Sequence, residues 1–255
     1  SQCIGMIRTS FIAWLPVFSI AAGLGLWELI GRLSPPVLFA PASAAFLFLL
    51  HQTTTWVLPA AIGHSLLTLA TGYTLAAVVA LPLGFAMGRV AWVHELLHPV
   101  LTGIYAIPPA AFIPFLIVWF GLFAQSRVAI VVIMCFFEML VITAAGARTI
   151  DPRLVDVARS FLAPRRRVIG AVLIPASLPF LFTALRIGLV RAVAGVITAE
   201  LLLSLANLGK QLLDSAGRFN TAGMLGVIAT VAMIGLAAQQ LLRWLERHVL
   251  RWERP

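Results

Sequence analysis

Glu138, Arg186, Arg191 and Glu200 are ionisable residues set inside long apolar runs, and that placement is the first chemistry the sequence offers. A charge in a bilayer core is expensive and ordinarily faces a partner or a water-filled path, so these residues read as ion pairs or as the lining of a solute route. Tyr105, Thr183 and Thr198 lie in the same runs and could add hydroxyls to a solute site, although holding helices together is the commoner use of such groups. At about 1.5 Å of rise per residue, Glu138 and Arg186 lie about 13 and about 12 Å from the inner ends of their spans and so share a depth. Two readings follow. Either Glu138 pairs with Arg186 or Arg191 and locks two spans together, or its carboxylate faces the path and selects against simple anions. Glu200 and Arg186 are about 21 Å apart along one helix, so each needs another partner.

No motif for covalent or metal chemistry accompanies these residues. A phosphate-binding G-x-x-x-x-G-K-[ST] loop is missing, since the pair Gly209-Lys210 lacks both the upstream glycine and the following hydroxyl. Neither H-E-x-x-H nor G-x-S-x-G occurs, and His51, His64, His94, His98 and His248 have no metal-ligand spacing. His94 and His98 share a helix face at i, i+4, but on a connection outside the membrane water solvates such a pair. His64-Ser65 has no base, orienting group or oxyanion motif beside it. Cys3 and Cys135 support neither a disulfide framework nor a metal site, and Cys135 reads as a small hydrophobe. The chain is expected to carry no cofactor and to perform no covalent chemistry.

The elements that must position these residues are membrane spans. The chain is 61% hydrophobic and 11% charged, with a mean hydropathy of +1.02, far outside the soluble range. Its net charge of +9 is scattered between apolar runs rather than gathered on a soluble face, which reports topology and argues against a nucleic-acid partner. The runs predict a single all-α, polytopic domain over 1–255 with about six spans, near Phe11–Ile30, Ser65–Gly88, Val100–Phe120, Val128–Ala147, Leu178–Leu203 and Ala222–Leu242. The first is too long for the core of a cleaved leader and leads into G-R-L-S-P-P, so it is kept as a span. With the N-terminus inside, the inner segments hold a threefold excess of basic residues, from Arg8 and Arg89 through Arg148 to Arg254, over Arg32, Arg127, Lys210 and Arg218 outside. That asymmetry places both termini in the cytoplasm. Pro108, Pro109 and Pro114 make the third span irregular, either as a packing kink or as a stretch lining the solute route. The halves share no duplicated motif, which weakens a stand-alone secondary carrier.

One charged island interrupts the apolar pattern, from Arg148 to Pro175. Asp151-Pro152 is a helix start, an N-cap followed by a residue with no amide to satisfy. Leu154, Val155, Ala158, Phe161 and Leu162 then form an apolar face, with Arg153, Asp156, Arg159 and Ser160 opposite. A short amphipathic helix within 151–164 is expected, lying on lipid headgroups or docking on a partner.

The residues Asp156-Val157-Ala158, with Val172-x-Ile174-Pro175 downstream, resemble the E-A-A, glycine, I-x-L-P loop of the permease subunits of binding-protein-dependent ABC importers. The similarity runs from about Leu33 to Arg247. V-A-R-S-F, L-I-P-A-S-L-P-F-L-F-T-A-L-R-I-G-L, T-A-E-L and Y-A-I-P-P-A-A-F-I-P-F-L-I-V-W-F-G look like the branch that imports sulfonates, taurine, nitrate or bicarbonate. The resemblance implies a type I importer permease fold in a bacterial inner membrane and a homodimer forming the path. It also implies two ATPase subunits carrying ATP and Mg, and a periplasmic binding protein delivering the solute. The loop would be the coupling helix that seats on the ATPase: Asp156 stands for the motif's acid, Val157 and Ala158 for its alanines and Pro175 for its closing proline. Asp151, Leu154, Val155, Arg159, Phe161 and Leu162 complete the docking element. Two departures are visible, Leu162 where the motif has glycine, and Glu138 where the fourth span usually has proline. Arg186 and Glu200 belong to the family patterns A-L-R and T-A-E. A non-anionic solute such as a pyrimidine or vitamin precursor, or an aromatic acid, is the alternative cargo.

Overall fold

The structure, a computed structural model, describes residues 2–204 and 206–250, and the side chains from residue 17 onward apart from Ser204. Cys3, Arg8, Arg251, Arg254 and the first part of the Phe11–Ile30 run lie outside the residues whose side chains are described. The described backbone is helical: α1 (Gln2–Leu33), α2 (Ala42–Thr54), α3 (Val57–Arg89), α4 (Ala91–Tyr105), α5 (Ile113–Phe120), α6 (Ala124–Thr149), α7 (Pro152–Ser160), α8 (Arg165–Val168), α9 (Ile174–Ala199), α10 (Asn207–Gly217) and α11 (Thr221–Val249). No strand occurs among the described residues.

Four of these helices are long and apolar enough to cross a bilayer: Val57–Arg89, Ala124–Thr149, the run Arg165–Leu203 and Thr221–Val249. α4 and the stretch Pro109–Phe120 are long and apolar enough only as a pair, and they meet at 88°, the geometry of a broken span or a re-entrant loop. The third span, expected over Val100–Phe120 with an irregular backbone, is two helices here, and the first of them begins earlier, at Ala91. Its break has a direct cause: Pro108 and Pro109 have no amide hydrogens to donate to the carbonyls one turn earlier, and Ala106–Pro108 leaves the helix before a short 3₁₀ turn, Pro109–Phe112, restarts it.

The chain falls into two compact units. In Ser1–Ala60 with Lys210–Thr230, the α1 end is tied to the following turn and α2. Trp27 Nε1 donates to Ala40 O at 3.1 Å, and the Glu28 carboxylate accepts from Arg32 Nε, Ser43 N and Ser43 Oγ at 2.7–2.9 Å. Thr221 Oγ1 closes the same unit by donating to Val37 O at 2.6 Å.

Ala61–Gly209 with Val231–Pro255 holds the main core. Ala76, Ala80 and Met87 of α3 meet Val131, Cys135, Met139, Leu140 and Ala144 of α6 and Ala192 and Val196 of α9. Small residues let these helices approach. Gly84 and Gly88 are one turn apart on α3, and a Cβ at Gly84 would lie 2.6 Å from Leu140 O and 2.9 Å from Thr143 Cβ. This small-xxx-small pair is a membrane helix-packing device, and the apolar pattern alone did not single it out. Cross-links add to the packing: Tyr73 Oη donates to Leu185 O at 2.9 Å, joining α3 to α9. Buried Cys135 spends its thiol on Val131 O of its own helix.

Candidate functional site

The charged island folds as a helix with defined ends. Asp151 accepts from Arg153 N at 2.8 Å and Pro152 occupies the first turn, so the donors at the N-terminus are capped or absent. At the other end Leu162 N donates to Arg159 O (2.8 Å) and Ala163 N to Ala158 O (3.2 Å), the paired bonds of a Schellman stop. Leu162 carries the left-handed backbone that this stop demands, with φ +57°. The position where the loop motif has glycine thus keeps the glycine conformation while holding a leucine.

The apolar face divides by what it meets. Val155 is buried, Ala158 is half-buried, and α7 lies against the π-turn Ile169–Leu173. Leu154, Val157, Phe161 and Leu162 turn outward, Phe161 being 81% and Leu162 91% exposed. Val157 is the residue the amphipathic reading left off the apolar face. The Asp156–Arg159 pair, 3.9 Å apart and exposed at both ends, adds little stability. The closing Pro175 lies just past the π-turn Ile169–Leu173, inside the continuous helical run Arg165–Leu203, where it has no amide to donate to the preceding turn.

The tether to α7 is fixed by a residue that the sequence pattern marks only for topology. Arg89, at the end of α3, donates through Nη1 to Ala147 O (3.5 Å) and Ile150 O (3.4 Å), capping the carbonyl end of α6 one residue before Asp151.

Of the candidate path residues, Tyr105, Glu138 and Arg191 come together. They line a cleft of about 260 Å³ at the broken span, with Pro108, Pro109 and Phe137 among its walls. Arg191 Nη2 lies 2.8 Å from Glu138 Oε1, and Tyr105 Oη donates to the same oxygen at 3.3 Å. Arg186 is elsewhere, bound to Glu246 of α11. Of the two pairings left open for Glu138, the structure holds that with Arg191. Glu200 is fully buried and accepts from Ser65 Oγ (2.6 Å), Asn207 Nδ2 (3.0 Å) and Gly209 N (3.1 Å), tying the π-turn Glu200–Ser204 to α3 and α10. Ser65 is thereby a structural donor, and its neighbour His64 is exposed. Thr183 donates to Pro179 O of its own helix, and neither Thr183 nor Thr198 lines the Glu138 cleft.

The chain thus carries a capped amphipathic helix, α7, between two membrane-length helices in sequence, and elsewhere a helix pair bent by 88°. Residues 80–251 match the family model described as "Binding-protein-dependent transport system inner membrane component". The chain belongs to that family. The permease is 34% identical to the riboflavin transport system permease of Chloroflexus aurantiacus, over 80% of this chain and 74% of that one. It is 31% identical to the taurine transport system permease of Escherichia coli, over 69% of this chain and 64% of that one. In fold it resembles a chain from a structure titled as inward-facing conformations of the MetNI methionine ABC transporter. That match has a TM-score of 0.67 at 19% identity and covers 78% of this chain and 98% of the other. The permease is thus the membrane-spanning subunit of an ABC importer and not its ATPase.

Proposed function

We propose that the permease pairs with a second copy of itself, and that the two form the path of an importer for a small organic or inorganic anion such as a sulfonate, taurine, nitrate or bicarbonate. A periplasmic binding protein delivers the solute, and two ATPase subunits carrying ATP and Mg drive the cycle from the cytoplasm. The outward apolar stripe of α7 supports the docking role most directly: Leu154, Val157, Phe161 and Leu162 are exposed on a helix capped at both ends. Ala158 sits at the edge of that stripe, so Ala158→Asp puts charge and volume on the docking face. Transport is expected to fail with the permease still in the membrane, and ATP hydrolysis to stop responding to loaded binding protein. Parental solute-stimulated hydrolysis in that variant would make α7 a lipid-surface element.

The broken span and its charged cleft support the path. Discontinuous helices line solute sites in transporters because freed backbone groups and ionisable side chains are tolerated only against protein or water. Arg191 brings a cationic group to this cleft, and an anion would have to compete for it with the Glu138 carboxylate that it and Tyr105 already bind. The riboflavin relative favours the alternative of a non-anionic heteroaromatic cargo. Binding measurements on the cognate binding protein across sulfonates, nitrate, bicarbonate, aromatic acids, pyrimidines and riboflavin separate the two.

A further inference from the structure

We propose that His94, His98 and Arg148 form a second ligand site, for an amphiphilic anion, at the end of α6 that leads to α7. His94, His98 and Thr102 follow at one-turn intervals on one face of α4, and all three line a cleft of about 310 Å³ with Arg148 from the last turn of α6. The two imidazole centroids are 4.6 Å apart. His94 Nδ1 is buried and has no hydrogen-bond partner. The rest of the lining is largely apolar, with Met87, Leu101, Val141 and Ala144 among it. No carboxylate lines the cleft, although Glu95 is the next residue on α4.

Two imidazoles and a guanidinium in an otherwise largely apolar lining match a ligand with one sulfonate, carboxylate or phosphate head and an apolar body. The guanidinium can grip such a head through two nitrogens, and the imidazoles can donate to its remaining oxygens. The volume is at the lower end of small-molecule sites, about 300–1,000 Å³. Tyr105 lines both this cleft and the one holding Glu138, so the two sites adjoin on one helix. Arg148 stands three residues before the N-cap of α7, so an occupant touches the tether of the docking helix directly. The ligand has two sources, a soluble organic anion or the headgroup and chain of an anionic lipid, and the chemistry of recognition is the same for both.

The test uses ¹³C-histidine-labelled permease with its ATPase in phosphatidylcholine nanodiscs, and the permease alone if no ATPase co-purifies, which keeps it independent of the docking proposal. Benzenesulfonate is titrated while the Cε1–H resonances of His94 and His98, identified through His94→Gln and His98→Gln, are followed. Saturable shifts are expected, at least tenfold weaker for methanesulfonate, which lacks the apolar body. Arg148→Gln should weaken binding at least tenfold and Arg148→Lys should recover part of it, which separates lost charge from lost fold. In discs containing phosphatidylglycerol, shifts present before any sulfonate is added assign the occupant to lipid, and their absence assigns it to the soluble anion. Unmoved resonances in both lipid backgrounds, or parental affinity in Arg148→Gln, would overturn the site.

Discussion

Glu138 takes Arg191 as its partner and leaves Arg186 to Glu246, and the reason lies in helix azimuth rather than depth. Five residues turn a helix by about 500°, so Arg186 and Arg191 point about 140° apart although both lie within reach along the axis. Depth was legible in the sequence, because rise is fixed. Azimuth relative to α6 was not, because it depends on how the helices pack. Glu138→Gln leaves Arg191 without its carboxylate, and since Arg191 is 54% exposed the loss is expected to be about 1–3 kcal/mol rather than the larger cost of stranding a fully buried charge. Adding Arg191→Met should recover much of it in a thermal-melt comparison of the assembled complex. Parental stability in Glu138→Gln with an altered solute preference would move the carboxylate from the ion pair into the path. Leu162 carries a different cost. Its left-handed backbone penalises a Cβ by roughly 1–2 kcal/mol, and its side chain is 91% exposed, so Leu162→Gly gives up little packing. Amide exchange across 152–163 in the isolated permease is expected to slow about fivefold, the factor that corresponds to about 1 kcal/mol. Unchanged or faster exchange would show that the turn is not strained.

At the scale of elements, the capped amphipathic helix α7 was readable almost residue by residue, because Asp151-Pro152 and the apolar spacing are local signals that survive in any tertiary setting. The split of its apolar residues into Val155 inward and Leu154, Val157 and Phe161 outward was not, since periodicity finds a face without saying which part the rest of the protein covers. Pro108 and Pro109 announced an irregular third span, but an 88° break between two helices depends on what the freed ends can pack against. The approach of α3 to α6 was missed because Gly84 and Gly88 add nothing to an apolar count. Their effect is steric. Gly84→Val would drive a side chain into Leu140 O and Thr143 Cβ, and overpacking of this kind costs typically about 1–3 kcal/mol. The variant should lower the melting point of detergent-purified permease, whereas Gly103→Ala, with nothing within 4 Å of the added carbon, should hold or raise it. Equal melting points for the two variants would remove helix approach as the role of Gly84.

For the whole molecule, lipid is the solvent that makes the surface intelligible. Val118, Phe18, Leu38 and Trp119 are among many large apolar side chains left exposed, an arrangement that is a liability in water and ordinary in a bilayer. Composition made this class legible from the outset, whereas the sharp bend between α4 and Pro109–Phe120 needed the fold. The orientation proposed from charge asymmetry ties the scales together, because α7 can meet an ATPase only if it lies on the cytoplasmic side. With Cys3 and Cys135 replaced, two single-cysteine variants report on opposite faces: Leu38→Cys in the exposed turn before α2, and Ser160→Cys at the end of α7. A membrane-impermeant maleimide applied to intact spheroplasts should label Leu38→Cys and leave Ser160→Cys unreacted until the membrane is permeabilised. Labelling of Ser160→Cys from outside would invert the topology, separate α7 from any cytoplasmic ATPase and remove the docking function with it. Protection of Ser160→Cys even after permeabilisation, relieved when the ATPase is stripped from the membrane, would instead be the signature of a seated coupling helix.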